Sequence, residues 1–186
     1  MQFDSNGNLN GGIIKSNIND LKVNLVDSFN TSKTRERNFN SLLELIELIR
    51  SNNLLNGVTS IWIDGSFCTK KIDPRDIDLI ILLKPYNECA RIIEQNNEAI
   101  REFFIDKHLD IYIAYDSKCL ADSNYVKQII LDLKTDNPTY NEDEIEKILY
   151  ENNQKIDHQM KYWMGQFGFD RKQRSKGLIS LEGGSL

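Results

Sequence analysis

Cysteine, histidine and proline are scarce in this 186-residue chain, at three, two and three copies. Cys68, Cys89 and Cys119 form no close pair and no CxxC motif, which argues against a disulfide framework and against a zinc site. His108 and His158 have no partner at metal-ligand spacing and read as ordinary core or surface residues. The polar N-terminus, Met1 to Asn8, has no apolar signal-peptide region, and no segment approaches the ~18 apolar residues of a membrane span. Reduced thiols and no membrane segment lead us to expect a cytoplasmic protein. Positive charge is also in deficit: a net charge of −5 argues against a nucleic-acid-coating role, which needs a broad basic face, but leaves room for a local basic patch. What is present, 40% hydrophobic and 27% charged residues, suits one globular domain with a full core.

Hydrophobic periodicity organises the rest. Residues 1–36, rich in Asn, Ser and Gly, read as an irregular lead-in with a turn at Gly11-Gly12 and one short helix near 18–29. A folded domain is expected over 37–166 and a basic, partly ordered tail over 167–186. From Arg35 to Asn52, Phe39, Leu42, Leu43, Leu45, Ile46, Leu48 and Ile49 recur mostly at helical spacing. Strands are expected at 59–64, 77–84 and 109–115, with a helix at 87–104 between the last two. The apolar run from Ile77 to Leu83 suits a strand covered on both faces. A short helix near 122–134 follows, then a long one to about Gly165 whose Asn141 and Glu144 make a capping box. Residues 177–181 read as an edge strand, and Gly183 to Leu186 as a disordered end. The fold class is therefore α/β (α+β), a small mixed sheet with helices packed on it.

Asp76 and Asp78 open the strand at 77–84. Residues i and i+2 of a strand share a face, so the two carboxylates stand side by side, about 7 Å apart at Cα. Hard divalent cations favour that arrangement, and Mg²⁺ commonly takes one or two carboxylates together with substrate phosphates. Upstream, Asp64-Gly65-Ser66 ends the preceding strand. Downstream, Asp110 and Asp116 lie on the third strand with the same parity; Asp110 is the nearer to its start and is favoured. Asp64 reads better as a turn residue.

The order helix, strand, Gly65-Ser66, loop, Asp76-Ile77-Asp78-Leu79, helix, strand with an acid at its start resembles the nucleotidyltransferase superfamily that includes polymerase beta. The small antitoxin-type members continue Gly-Ser-x-Ala-Arg-Gly, whereas this chain reads Gly65-Ser66-Phe67-Cys68-Thr69-Lys70. It is more similar to a family of short stand-alone bacterial proteins in that superfamily, with no assigned reaction. These begin with a Gly-Ile-type turn (like Gly11-Gly12-Ile13 here) and carry an arginine before the first long helix (Arg35 or Arg37) and Asp-Gly-Ser-Phe-x-Thr-x-Lys before Asp-x-Asp. The resemblance implies that 37–166 is nucleotidyltransferase-like, with Asp76, Asp78 and Asp110 as the catalytic and metal-binding acids. It implies two Mg²⁺ ions, or Mn²⁺ in their place, and a nucleoside triphosphate as substrate. Gly65 and Ser66 would meet the triphosphate, with Lys70 and Lys71 as point charges on its phosphates.

The implied activity is transfer of a nucleoside monophosphate to a hydroxyl on a small molecule, protein or RNA by a two-metal displacement. The alternative is a catalytically silent or regulatory nucleotide-binding protein, a toxin–antitoxin or phage-defence component acting through a partner protein. A third reading is an RNA-binding module. Lys161, Arg171, Lys172, Arg174 and Lys176 alternate with Tyr162, Trp163, Phe167 and Phe169, a pattern that neutralises and stacks on nucleic acid. Its bland counterpart is a helix C-terminus that favours cations, with the aromatics turned into the core.

Overall fold

A computed structural model describes residues 1–186. Five strands, β1 (Ile13–Ser16), β2 (Val58–Asp64), β3 (Ile77–Leu83), β4 (Leu109–Tyr115) and β5 (Leu178–Glu182), form one sheet in the order β1-β5-β2-β3-β4. β1 runs parallel to β5 and β3 parallel to β4, while β2 is antiparallel to both of its neighbours. Six helices surround it: α1 (Ile18–Leu25), α2 (Arg35–Ser51), α3 (Glu88–Gln95), α4 (Asn97–Ile105), α5 (Ser123–Asp136) and α6 (Glu142–Phe167). The mixed α/β architecture is the one the sequence pattern implies.

Strand alternation divides the core between the two faces of the sheet. Ile61, Ile63, Leu79, Ile81, Ile111 and Ile179 point to one face, where Leu21, Leu25, Phe39, Leu42, Leu45 and Ile93 from the helices meet them. Trp62, Ile80, Leu82, Ala114 and Leu178 point to the other, beneath Met160 and Phe167 of α6. β3 is buried on both faces except at Asp78, as its continuous apolar run demands. A third, smaller cluster, Ile129, Ile145 and Leu149, joins α5 to α6.

The ends of the chain depart most from expectation. The lead-in supplies a strand, β1, besides the short helix, and the supposed edge strand is interior. β5 lies between β1 and β2, with Ile14 opposite Ile179 and Ile179 opposite Ile63. Residues 183–185 form a 3₁₀ turn packed on β2 and are not an unstructured end. Gly177 is required here, because a Cβ on it would lie 2.2 Å from the Gly11 carbonyl. The expected helix at 87–104 is two helices. Asn96 ends α3 and precedes α4; its side-chain amide and its N–H both donate to the Ile92 carbonyl, closing the last turn of α3. The capping box on α6 is present as predicted, Asn141 accepting from the Glu144 N–H and Glu144 accepting from that of Asn141.

Candidate functional site

The acids meet at one end of the sheet. Asp78 is directly opposite Asp64 in the β2–β3 pairing and directly opposite Asp110 in the β3–β4 pairing. Cross-strand partners share a face, so Asp64, Asp78 and Asp110 form a row across three strands on the α6 side of the sheet. Asp76, two residues before Asp78, follows the same parity and is half-buried. Arg75 donates to it at 3.2 Å. Asp116, the rival third acid, lies past the far end of β4, where it caps a 3₁₀ turn through the Lys118 N–H at 3.0 Å. The structure therefore brings Asp110, and not Asp116, to Asp78.

Gly65 explains how Asp78 fits. Its φ is +71°, and a Cβ there would come within 1.7 Å of Asp78 Oδ2, so the Asp78 carboxylate occupies the space a side chain would fill. Gly65 begins the 3₁₀ turn Gly65–Cys68, and Ser66 is its second residue. Beneath that turn sits Arg35, wholly buried. Its guanidinium donates to the carbonyls of Leu25, Phe67, Thr69 and Lys71 at 2.7–2.8 Å and lies over the Phe29 ring. Burial lowers its pKa to about 10, which leaves it charged at neutral pH. The arginine before the first long helix thus shapes the Gly-Ser loop from behind.

Lys70 is turned toward the N-terminal segment. The Lys70 N–H donates to the Gly7 carbonyl and its ammonium lies 5.9 Å from the Phe3 ring centroid; Lys71 gives its carbonyl to Arg35. Besides Arg75, the cation at the carboxylates is Lys176, from the segment before β5. Its ammonium is 2.8 Å from Asp64 Oδ2, with the two side chains only 9% and 4% exposed. Asp64 Oδ1 is buried with no partner. In the sequence Lys176 is one of the tail basics and Asp64 has the setting of a turn residue. Nothing local signals their pairing, which spans 112 positions.

Charge crowding shows in the acidities. Burial, then the neighbouring charges of Asp76 and Asp110, raise the Asp78 pKa, while Lys176 opposes them. Burial raises Asp64 to about 6, with Lys176 again opposing. Tyr112 donates its hydroxyl to Asp110 Oδ2 at 2.8 Å, and burial together with that acceptor pushes it to about 12. Trp163 of α6 packs on Tyr112 with ring centroids 4.7 Å apart, and Phe167 closes the aromatic wall. Cys68, behind Asp64, is fully buried, and its thiol is pushed well up, so it is inert.

Is a divalent cation a fit for this end of the sheet? A carboxylate whose ionisation is opposed by two neighbouring carboxylates is relieved by one, and oxygen donors are what Mg²⁺ takes. Asp76, Asp78 and Asp110 are therefore suitable ligands in kind. They are not drawn together, for no three His, Cys, Asp or Glu side chains converge closely enough to form a ready-made metal site. A cavity of about 760 Å³ lies at the opposite end of β3 and β4, lined by Tyr86, Arg91, Tyr115, Asp132 and Lys155 among others, away from the acids.

The tail basics are largely engaged. Arg174 pairs with Asp170, Lys176 with Asp64 and Lys161 with Asp157, which leaves Arg171 and Lys172 exposed. Phe167 is buried and Trp163 half-buried, while Tyr162 and Phe169 stay exposed. No helix is long and apolar enough to cross a membrane.

No curated protein and no solved structure matches the chain. A sequence profile does match it over residues 1–182, and by that match the chain belongs to DUF6932, a family of unknown function.

Proposed function

We propose that the acidic end of the sheet is a Mg²⁺-dependent nucleotidyl-transfer site that moves a nucleoside monophosphate from a triphosphate to a hydroxyl acceptor. The observation that carries this reading is the in-register pairing of Asp78 with Asp110, on the face shared with Asp76, beside a glycine whose missing side chain makes room for Asp78. Asp76, Asp78 and Asp110 would hold the metal. When bound, it neutralises triphosphate charge and eases deprotonation of the attacking hydroxyl. Gly65 lets the backbone approach the phosphates, and Ser66 offers them a hydroxyl and an N–H. Asp110, which accepts from the Tyr112 hydroxyl, would take the acceptor proton.

Calorimetry with ATP or GTP plus Mg²⁺, on wild type and on Asp76→Asn/Asp78→Asn, tests it. Metal-dependent nucleotide binding that the double variant loses is the expected outcome. Equal behaviour of the two proteins, with or without metal, sinks the reading.

A second reading, a silent or regulatory nucleotide-binding protein, draws on the absence of a preassembled carboxylate cluster and on the Arg75 contact to Asp76. α-Labelled triphosphates separate the two. Label transferred to an acceptor in cell extract favours the enzyme, whereas metal-dependent binding without transfer favours the silent protein.

A further inference from the structure

Lys176 is an expensive residue to keep where it is. It and Asp64 are both nearly buried, and a buried ion pair is often no more stabilising than an apolar pair of the same size. The pair is also incompletely satisfied, because Asp64 Oδ1 has no partner and Asp64 is the one carboxylate Lys176 meets. The backbone around the lysine is pinned on both sides: the Lys176 N–H donates to the Gly168 carbonyl at 2.9 Å and the Gly177 N–H to the Leu9 carbonyl at 2.7 Å. A long flexible cation is thus brought to one place, at the end of a row of three carboxylates, by contacts from both ends of the chain. Its charge reaches past Asp64 to Asp78.

That placement suits a ligand which is itself strongly negative. Four carboxylates, Asp64, Asp76, Asp78 and Asp110, repel a polyphosphate; of the cations near them, Lys70 is turned to the Phe3 ring of the N-terminal segment and Arg75, on Asp76, is largely exposed, whereas Lys176 is held out of water at the end of the row. Lysine binds phosphate as a point charge. We propose that Lys176 is a phosphate-contacting residue of this site, delivered by the C-terminal segment and held at the carboxylates by Asp64, its ligand the polyphosphate of a nucleoside triphosphate. This rests on the nucleotidyl-transfer reading and extends the site to a residue 66 positions beyond the last of its acids, Asp110. Asp64 is then a positioning residue, which explains why it is paired with a lysine while its neighbours in the row are open to a cation.

The test measures Mn²⁺ alone, Mn²⁺ with ATP and Mn²⁺ with AMP by calorimetry on wild type, Lys176→Met, Lys176→Arg and the double variant Asp64→Asn/Lys176→Met. The double variant removes both charges and leaves no carboxylate buried without its partner, so it folds even if the single methionine variant does not. Lys176→Met and the double variant should bind Mn²⁺ no more weakly than wild type, since a nearby positive charge is gone, keep AMP binding, and bind ATP at least about tenfold more weakly, the scale of one charge-assisted hydrogen bond. Lys176→Arg should retain most of the ATP affinity. ATP affinity within about twofold of wild type in the double variant overturns the proposal, as does a parallel loss of Mn²⁺ and AMP binding. Wild type that binds neither Mn²⁺ nor ATP instead removes the nucleotidyl-transfer reading, and the role of Lys176 falls with it.

Discussion

Gly65 and Arg35 show how much of the site rests on single residues. Gly65 combines a left-handed backbone with a space already filled by the Asp78 carboxylate. Gly65→Ala should destabilise the protein by roughly 1–3 kcal/mol from backbone strain, read from urea unfolding. It should also weaken divalent-cation binding, since Asp78 must move to admit the methyl group. Unchanged stability together with unchanged cation affinity would show that the Gly65 turn is freer than described. Arg35 works from the other side of the same loop. Of its four carbonyl acceptors, those of Leu25 and Phe67 belong to buried residues, so the arginine satisfies backbone groups that water does not reach, with no carboxylate among its hydrogen-bond partners.

At the scale of elements, the stretch 168–177 is a clasp and not a free basic tail. Asp170 accepts from the side chain and N–H of Arg174, from the Lys172 N–H and from the Asn8 amide, and Arg174 reaches on to Asn6. The Arg174 contacts, first of all, hold the Asp170 pKa well below the usual carboxylate range. A carboxylate depressed in the folded state contributes stability that is fully present above its unfolded value of about 3.9 and is lost as pH falls toward the folded one. The clasp should accordingly loosen below about pH 4. Hydrogen exchange at Lys176 and Gly177, whose N–H groups bond to Gly168 and Leu9, should then rise sooner than exchange in β3. Simultaneous loss of protection in both would show that the clasp does not open separately. The same contacts explain why the alternation of basic and aromatic residues near the C-terminus is a weak guide to nucleic-acid binding. The pattern is visible in one dimension, but its partners, Asp64, Asp157 and Asp170, are found only in three.

The whole molecule is closed by its two ends. β5 pairs with β1 from the lead-in and with β2 from the centre, so the last strand completes the sheet. Truncation after Gly177 removes Ile179 and Leu181 from the core and leaves β1 without a partner. Such a chain should fail to give the cooperative thermal transition of the full protein by circular dichroism. A truncated protein that melts cooperatively near the full-length temperature would mean that β5 is dispensable. The acidic site is affected too, because Lys176 is held from the same segment.

Much of this architecture was legible in the residues alone, where the governing interactions are local. The two-residue repeat of a strand places Asp76 and Asp78 on one face, the helical spacing of Phe39, Leu42, Leu45, Ile46 and Ile49 defines α2, and Asn141 with Glu144 starts α6. Those features depend on steric and hydrogen-bonding preferences within a few residues. Strand order and register do not, because they are decided by which apolar faces pack together across the whole chain. Only the tertiary structure sets Asp64, Asp78 and Asp110 in one row, makes β5 interior, and inserts Lys176 where the sequence offered Lys70 and Lys71. The pairing of Asp64 with Lys176 is long-range and electrostatic, and it exists because a completed sheet carries both groups out of water at the same point.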